Sequence, residues 1–109
     1  MASEKEQLGR WSDPSLLVLS SLAGGEKHGY AMVGDIEAMA GVHLGPGTLY
    51  GALSRLEAQG LIAASPAAGR RRPYRITAAG SEALQSQLTV LASVAETGLK
   101  RLRTAEVSG

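Results

Sequence analysis

A chain of 109 residues with 44% apolar content, no Phe and one Trp can build one small domain, and its core is thin enough that association with a second copy is expected. The absence of cysteine excludes disulfides and thiolate metal sites and fits a reducing compartment. The net charge of +1 hides an asymmetry: residues 1–40 carry three bases against six acids, whereas residues 41–80 carry Arg55, Arg70, Arg71, Arg72 and Arg75 against Glu57 alone, the footprint of a polyanionic partner.

Residues 1–12 read as a polar, partly disordered N-terminal arm. The opening MASEKEQ lacks a signal peptide's apolar core, and no run approaches the roughly 18 apolar residues of a membrane span, so a soluble, cytoplasmic protein without membrane contact is expected. Asp13 before Pro14 is an N-cap and first helical position. Leu16, Leu19, Leu22 and Ala23 recur at helical spacing, and Gly24 with Gly25 ends this helix. A second helix is expected from His28 to Ala40, with Met32, Val33, Ile36, Met39 and Ala40 inward and Asp35, Glu37 and Ala38 outward. After Val42–Gly45, a third helix spans Pro46 to Gln59 and stops at Gly60. Leu61–Ser65 and Pro73–Thr77 read as a two-stranded hairpin, with Tyr74 and Ile76 on one face and Arg75 on the other. Thr77 caps a last helix from Ala78 to about Arg103.

Taken together, these elements predict a mainly α fold with a small β-hairpin: three helices and the hairpin over residues 13–77, and a dimerisation helix and tail over 78–109. The last helix carries Leu84, Leu88, Leu91, Ala95, Leu99 and Leu102 at spacings of three and four along its whole length. At a rise of about 1.5 Å per residue it outruns a compact body of this size, so its stripe needs a cover. A second copy of the chain is the simplest cover; the N-terminal helix folding back over the stripe is the alternative.

The third helix has two unlike faces. At 100° per residue Leu49, Ala52, Leu53 and Leu56 fall on one arc, and Gly47, Gly51, Ser54 and Ala58 on the other, flanked by Tyr50 and by Thr48 with Arg55. Each glycine costs a helix about 1 kcal/mol relative to alanine, so a face that needed only solubility would carry Glu and Lys. A smooth face lets a helix lie deep in a groove, where Arg55 can bond guanine and Thr48 and Ser54 can reach base edges. Tyr50 suits a phosphate, and the helix N-terminus, uncapped at Gly45 and Pro46, suits another. Arg70, Arg71 and Arg72 at the hairpin tip gain nothing from one another and suit a minor groove or backbone phosphates. Packing of the small face on another helix, and a merely solvated turn, are the plainer readings of the same residues.

The strings HGYAMVGDI, GPGTLYGALSRLEAQGLI and RRRPYRITAAG, in that order, resemble the PadR family of bacterial transcriptional regulators over roughly Leu16 to Leu84. The single terminal helix resembles the small subgroup of that family. The resemblance implies a winged helix-turn-helix dimer in which the terminal helix reaches across to the partner, a recognition helix at Pro46–Gln59 and a wing at Ser65–Pro73. It also implies phosphate contacts by Tyr30 and Tyr50. Gly45 departs from the Ser that many relatives carry before the PGTLY proline, which removes a capping hydroxyl. Family members commonly respond to small aromatic or amphipathic effectors near the dimer interface; here Trp11 is the one large aromatic that could stack on one, but anchoring the N-terminal helix against the long one is its favoured reading.

The expected function is therefore a sequence-specific, double-stranded DNA-binding regulator: a homodimeric, ligand-responsive repressor of a pseudo-palindromic operator, needing no cofactor. Its DNA-binding residues are Tyr30, Gly47, Thr48, Tyr50, Ser54, Arg55, Arg70, Arg71, Arg72 and Arg75. Two rival readings are a metal-responsive winged helix using His28 and His43, and a winged helix that binds protein. An enzyme is disfavoured, because no carboxylate pair or activated nucleophile stands in a recognisable pattern.

Overall fold

Asp13 starts the first helix as its sequence requires. Its Oδ1 accepts from the Ser15 amide at 2.8 Å, its carbonyl accepts from the Leu17 amide at 3.1 Å, and Pro14 takes the position where no amide is needed. The computed structural model describes residues 13–66 and 72–108. The order is α1 (Pro14–Ala23), α2 (Gly29–Ala40), α3 (Pro46–Ala58), β1 (Ile62–Ala64), β2 (Tyr74–Ile76) and α4 (Ala78–Ser108). The N-terminal arm with Trp11, and the wing residues Arg70 and Arg71, lie outside the described residues.

Helix α1 is the hub, touching α2, α3, β2 and α4. Its one-sided stripe is therefore too narrow an expectation: Leu17, Val18, Leu19, Ser21 and Leu22 are all buried, whereas Ala23 is exposed. Met32 and Ile36 of α2, Leu49, Leu53 and Leu56 of α3, and Ile62 of β1 close around it. Full burial of each such side chain contributes about 1.5–3 kcal/mol. Leu44, in the link between α2 and α3, joins the same core.

Two expectations for α2 change. Met39 is 49% exposed, because the helix leaves the core before its last turn. Asp35 does not face away: its carboxylate accepts from the hydroxyl of the buried Ser21 at 2.6 Å and lies 4.0 Å from the Lys27 ammonium. A hydroxyl buried on the hub helix needs such a partner.

The hairpin pairs Ile62 with Ile76, Ala63 with Arg75 and Ala64 with Tyr74. Tyr74 and Ile76 rest half-buried against the core while Arg75 is exposed, so alternation sets the faces as predicted. Lys27 adds a single further rung on the far side of β2, its amide donating to the Tyr74 carbonyl at 3.1 Å and its carbonyl accepting from the Tyr74 amide at 2.9 Å.

Helix α4 runs 31 residues, to Ser108 rather than Arg103, since nothing between Thr104 and Ser108 breaks a helix. At about 46 Å it dominates a body of 61 × 32 × 21 Å. Leu84 corrects the predicted seam. It is 4% exposed inside its own chain's core and is spent there, not on a partner. Leu88, Leu99 and Leu102 are exposed, Leu91 is half-buried, and Val90 and Val94 add exposed apolar surface that the leucine spacing omitted.

Candidate nucleic-acid interface

Helix α3 buries the predicted arc, with Leu49, Ala52, Leu53 and Leu56 each at most 2% exposed. That fixes which side faces out. Gly47, Thr48, Tyr50, Ser54, Arg55 and Ala58 are exposed, and Gly51 is half-buried beneath the Arg55 guanidinium, 3.6 Å from where a Cβ would stand. Arg55 thus lies back along the small face instead of projecting from its edge. The N-terminus of α3 has no side-chain cap at Gly45, so its first amides remain open to an external acceptor.

Tyr50 meets α2 at its first residue. A Cβ on Gly29 would lie 3.0 Å from the Tyr50 hydroxyl and 3.4 Å from Cζ, so the ring rests on bare glycine backbone. Tyr30, 72% exposed, follows immediately. One tyrosine thus touches the first residue of α2 and the other is its exposed second residue, at a helix N-terminus that also lacks a side-chain cap. Gly29 was not singled out in the sequence; its contact is non-local, and only the small residue at a helix start hinted at it.

Of the wing arginines, Arg72 and Arg75 are described and both are exposed. The wing is tied to the body by two residues that sequence reasoning passed over. Glu26 accepts a hydrogen bond from the Ser65 hydroxyl, and Lys27 carries the backbone rung to Tyr74. Both lie in the α1–α2 link, where a lone acid–base pair gives no periodic signal.

The histidines are far apart. His28 precedes α2 and His43 follows it, across a 12-residue helix about 18 Å long, so one ion cannot bridge them. His43 instead contacts the Glu37 carboxylate. Among the described residues, no three of His, Asp and Glu gather closely enough to hold a metal, and no helix is long and apolar enough to cross a membrane.

The family model for the transcriptional regulator PadR-like family matches residues 18–86 of this sequence, which includes α2, α3, the hairpin and the start of α4. The chain belongs to the PadR-like family of transcriptional regulators. Members of this family are regulators of transcription, not enzymes. A PadR family transcription regulator from Clostridium difficile R20291 is 24% identical to this PadR-like chain, with a TM-score of 0.68 over 82% of it and 97% of that protein. A transcriptional regulator from Clostridium thermocellum is 25% identical, with a TM-score of 0.71 over 92% and 97% of the two chains. RosR of H. salinarum is 26% identical, with a TM-score of 0.67 over 75% and 74%. The sequence is also 49% identical over 78 residues to an uncharacterized 37.1 kDa protein in transposon TN4556 of Streptomyces fradiae; the match takes in 72% of this PadR-like chain and 23% of that relative, so the chain spans about a quarter of its length.

Proposed function

We propose that this PadR-like chain binds duplex DNA as a homodimer and represses transcription from a pseudo-palindromic operator. The observation that carries the reading is the outer face of α3. It is small, polar and uncovered, and it holds Thr48, Ser54 and Arg55 as the groups able to address base edges in a major groove. Tyr30, Tyr50 and the open N-termini of α2 and α3 serve backbone phosphates, which set register without reading sequence. Arg72 and Arg75, with Arg70 and Arg71 on sequence grounds, supply affinity from the wing.

The dimer follows from α4. Leu88, Leu91, Ala95, Leu99 and Leu102, broadened by Val94, form a continuous apolar surface that the single chain leaves largely bare. A second copy covers it by antiparallel or crossed packing of the same helix. Near its base, between α1, α3 and α4, is a groove of about 490 Å³ in which Leu16, Leu61 and Leu91 stand beside the polar side chains of Asp13, Ser15, Gln59 and Gln87. Its mixed apolar and polar walls suit the small amphipathic effector that would relieve repression.

Selection of bound duplexes from a random-sequence library tests the reading. Enrichment of an inverted repeat supports it. Recovery of no preferred sequence contradicts it and turns attention to protein partners.

A further inference from the structure

The end of α3 and the start of α4 are joined through four residues. Gly60, at φ 76°, closes α3 with a left-handed cap: its amide donates to Glu57 at 3.0 Å, and the Leu61 amide donates to Leu56 at 3.0 Å. The two carbonyls exported by that cap are both taken by Thr77. Its amide donates to the Leu61 carbonyl at 3.1 Å, and its hydroxyl donates to the Gly60 carbonyl at 2.7 Å. The same hydroxyl accepts from the Gly80 amide at 3.1 Å and so caps α4. Gly80 completes the joint by contact: a Cβ there would overlap the Leu61 carbonyl and lie 2.8 Å from Ile76 Cγ1. One hydroxyl thus bridges the terminus of one helix to the first turn of the next, with bare backbone against backbone beside it.

We propose that Thr77 and Gly80 are positioning residues that fix the angle between α3 and α4 and thereby set the spacing of the two DNA half-sites, an inference that rests on the dimeric DNA-binding reading above. The lever is long. A tilt of about 5° at the joint moves the far end of a helix of about 46 Å by about 4 Å, more than the rise of about 3.4 Å per base pair. A joint held by backbone contact and a two-sided hydroxyl holds the recognition helices to one separation; a joint without the bridge admits several.

The test repeats the library selection with Thr77→Asp and Thr77→Ser and reads the distance between enriched half-sites. An ionised Asp still caps the Gly80 amide but cannot donate to Gly60, so helix stability is kept while the bridge is removed. The wild type is expected to favour one spacing over its neighbours by roughly tenfold, falling to roughly twofold in Thr77→Asp with the half-site sequence unchanged. Thr77→Ser, which keeps both bonds, is expected to restore the single spacing. Thermal melting checks that Thr77→Asp is folded, and Thr77→Val, which removes the bridge without adding charge, is the second variant. A single wild-type spacing in Thr77→Asp or Thr77→Val overturns the proposal while leaving DNA binding intact. Failure of the wild type to enrich any inverted repeat overturns the dimeric reading itself.

Discussion

The Tyr50 hydroxyl rests on Gly29, with only 3.0 Å between it and the place where a Gly29 side chain would begin. This contact ties the outer edge of α3 to the first turn of α2. Gly29→Val is therefore expected to push Tyr50 off its seat at a cost of about 1–3 kcal/mol, read as a lower melting temperature. DNA affinity should fall with little change in sequence preference, the outcome expected of the phosphate contact proposed for Tyr50. Tyr50→Phe separates the effects, because it removes the hydroxyl and leaves the ring in place.

Arg55 is expected to read a base, given its position across the smooth face above Gly51. Arg55→Ala should cost about 1–3 kcal/mol at one position of each half-site and relax discrimination there, measured by competition between duplexes differing at that base pair. Uniform weakening across sequences would instead assign Arg55 to the phosphate backbone.

The wing arginines should behave in the opposite way. Replacing Arg70, Arg71 and Arg72 with Ala is expected to weaken binding to every duplex and to flatten its dependence on salt, by up to about 0.9 in the logarithmic slope for each phosphate that is no longer neutralised. Binding titrations at several ionic strengths read both quantities.

Within the core, Ser21 and Asp35 should be energetically coupled. Ser21 is buried and its hydroxyl depends on the Asp35 carboxylate. Denaturant unfolding of Ser21→Ala, Asp35→Ala and the double variant is expected to give a coupling energy of about 1 kcal/mol, discounted from the full value of a charged hydrogen bond because Asp35 is partly exposed.

These residues also mark where sequence is legible and where it is not. The arc of Leu49, Ala52, Leu53 and Leu56 could be read at 100° per residue because one helix packs one face, and the caps at Asp13 and Thr77 could be read because capping is local. Helix α1 defeats periodicity, since a hub buried on several sides has no single stripe. Leu84 is continuous in spacing with Leu88 and Leu91, yet it belongs to a different surface. The division depends on how far the body reaches along α4, a tertiary quantity. The Lys27 rung, the Asp35 bond and the Gly29 contact are likewise made between elements distant in sequence, and no local pattern announces them. Which residues of α3 face outward was legible for the same reason as its buried arc, since the exposed side is the complement of the buried one.

Leu99 lies in the part of α4 beyond the domain body and is 56% exposed, so Leu99→Glu should not unfold a single chain. It should, however, dissolve a dimer built on that face. Sedimentation of the Leu99→Glu variant beside the wild type, each with the selected duplex, is therefore the most direct test of a regulator that grips DNA with two copies. The wild type should sediment alone at twice the chain mass of 11.3 kDa and load two copies per duplex, and the variant should sediment as a single chain with greatly weakened binding. A wild-type monomer that binds DNA as tightly as its variant would contradict it.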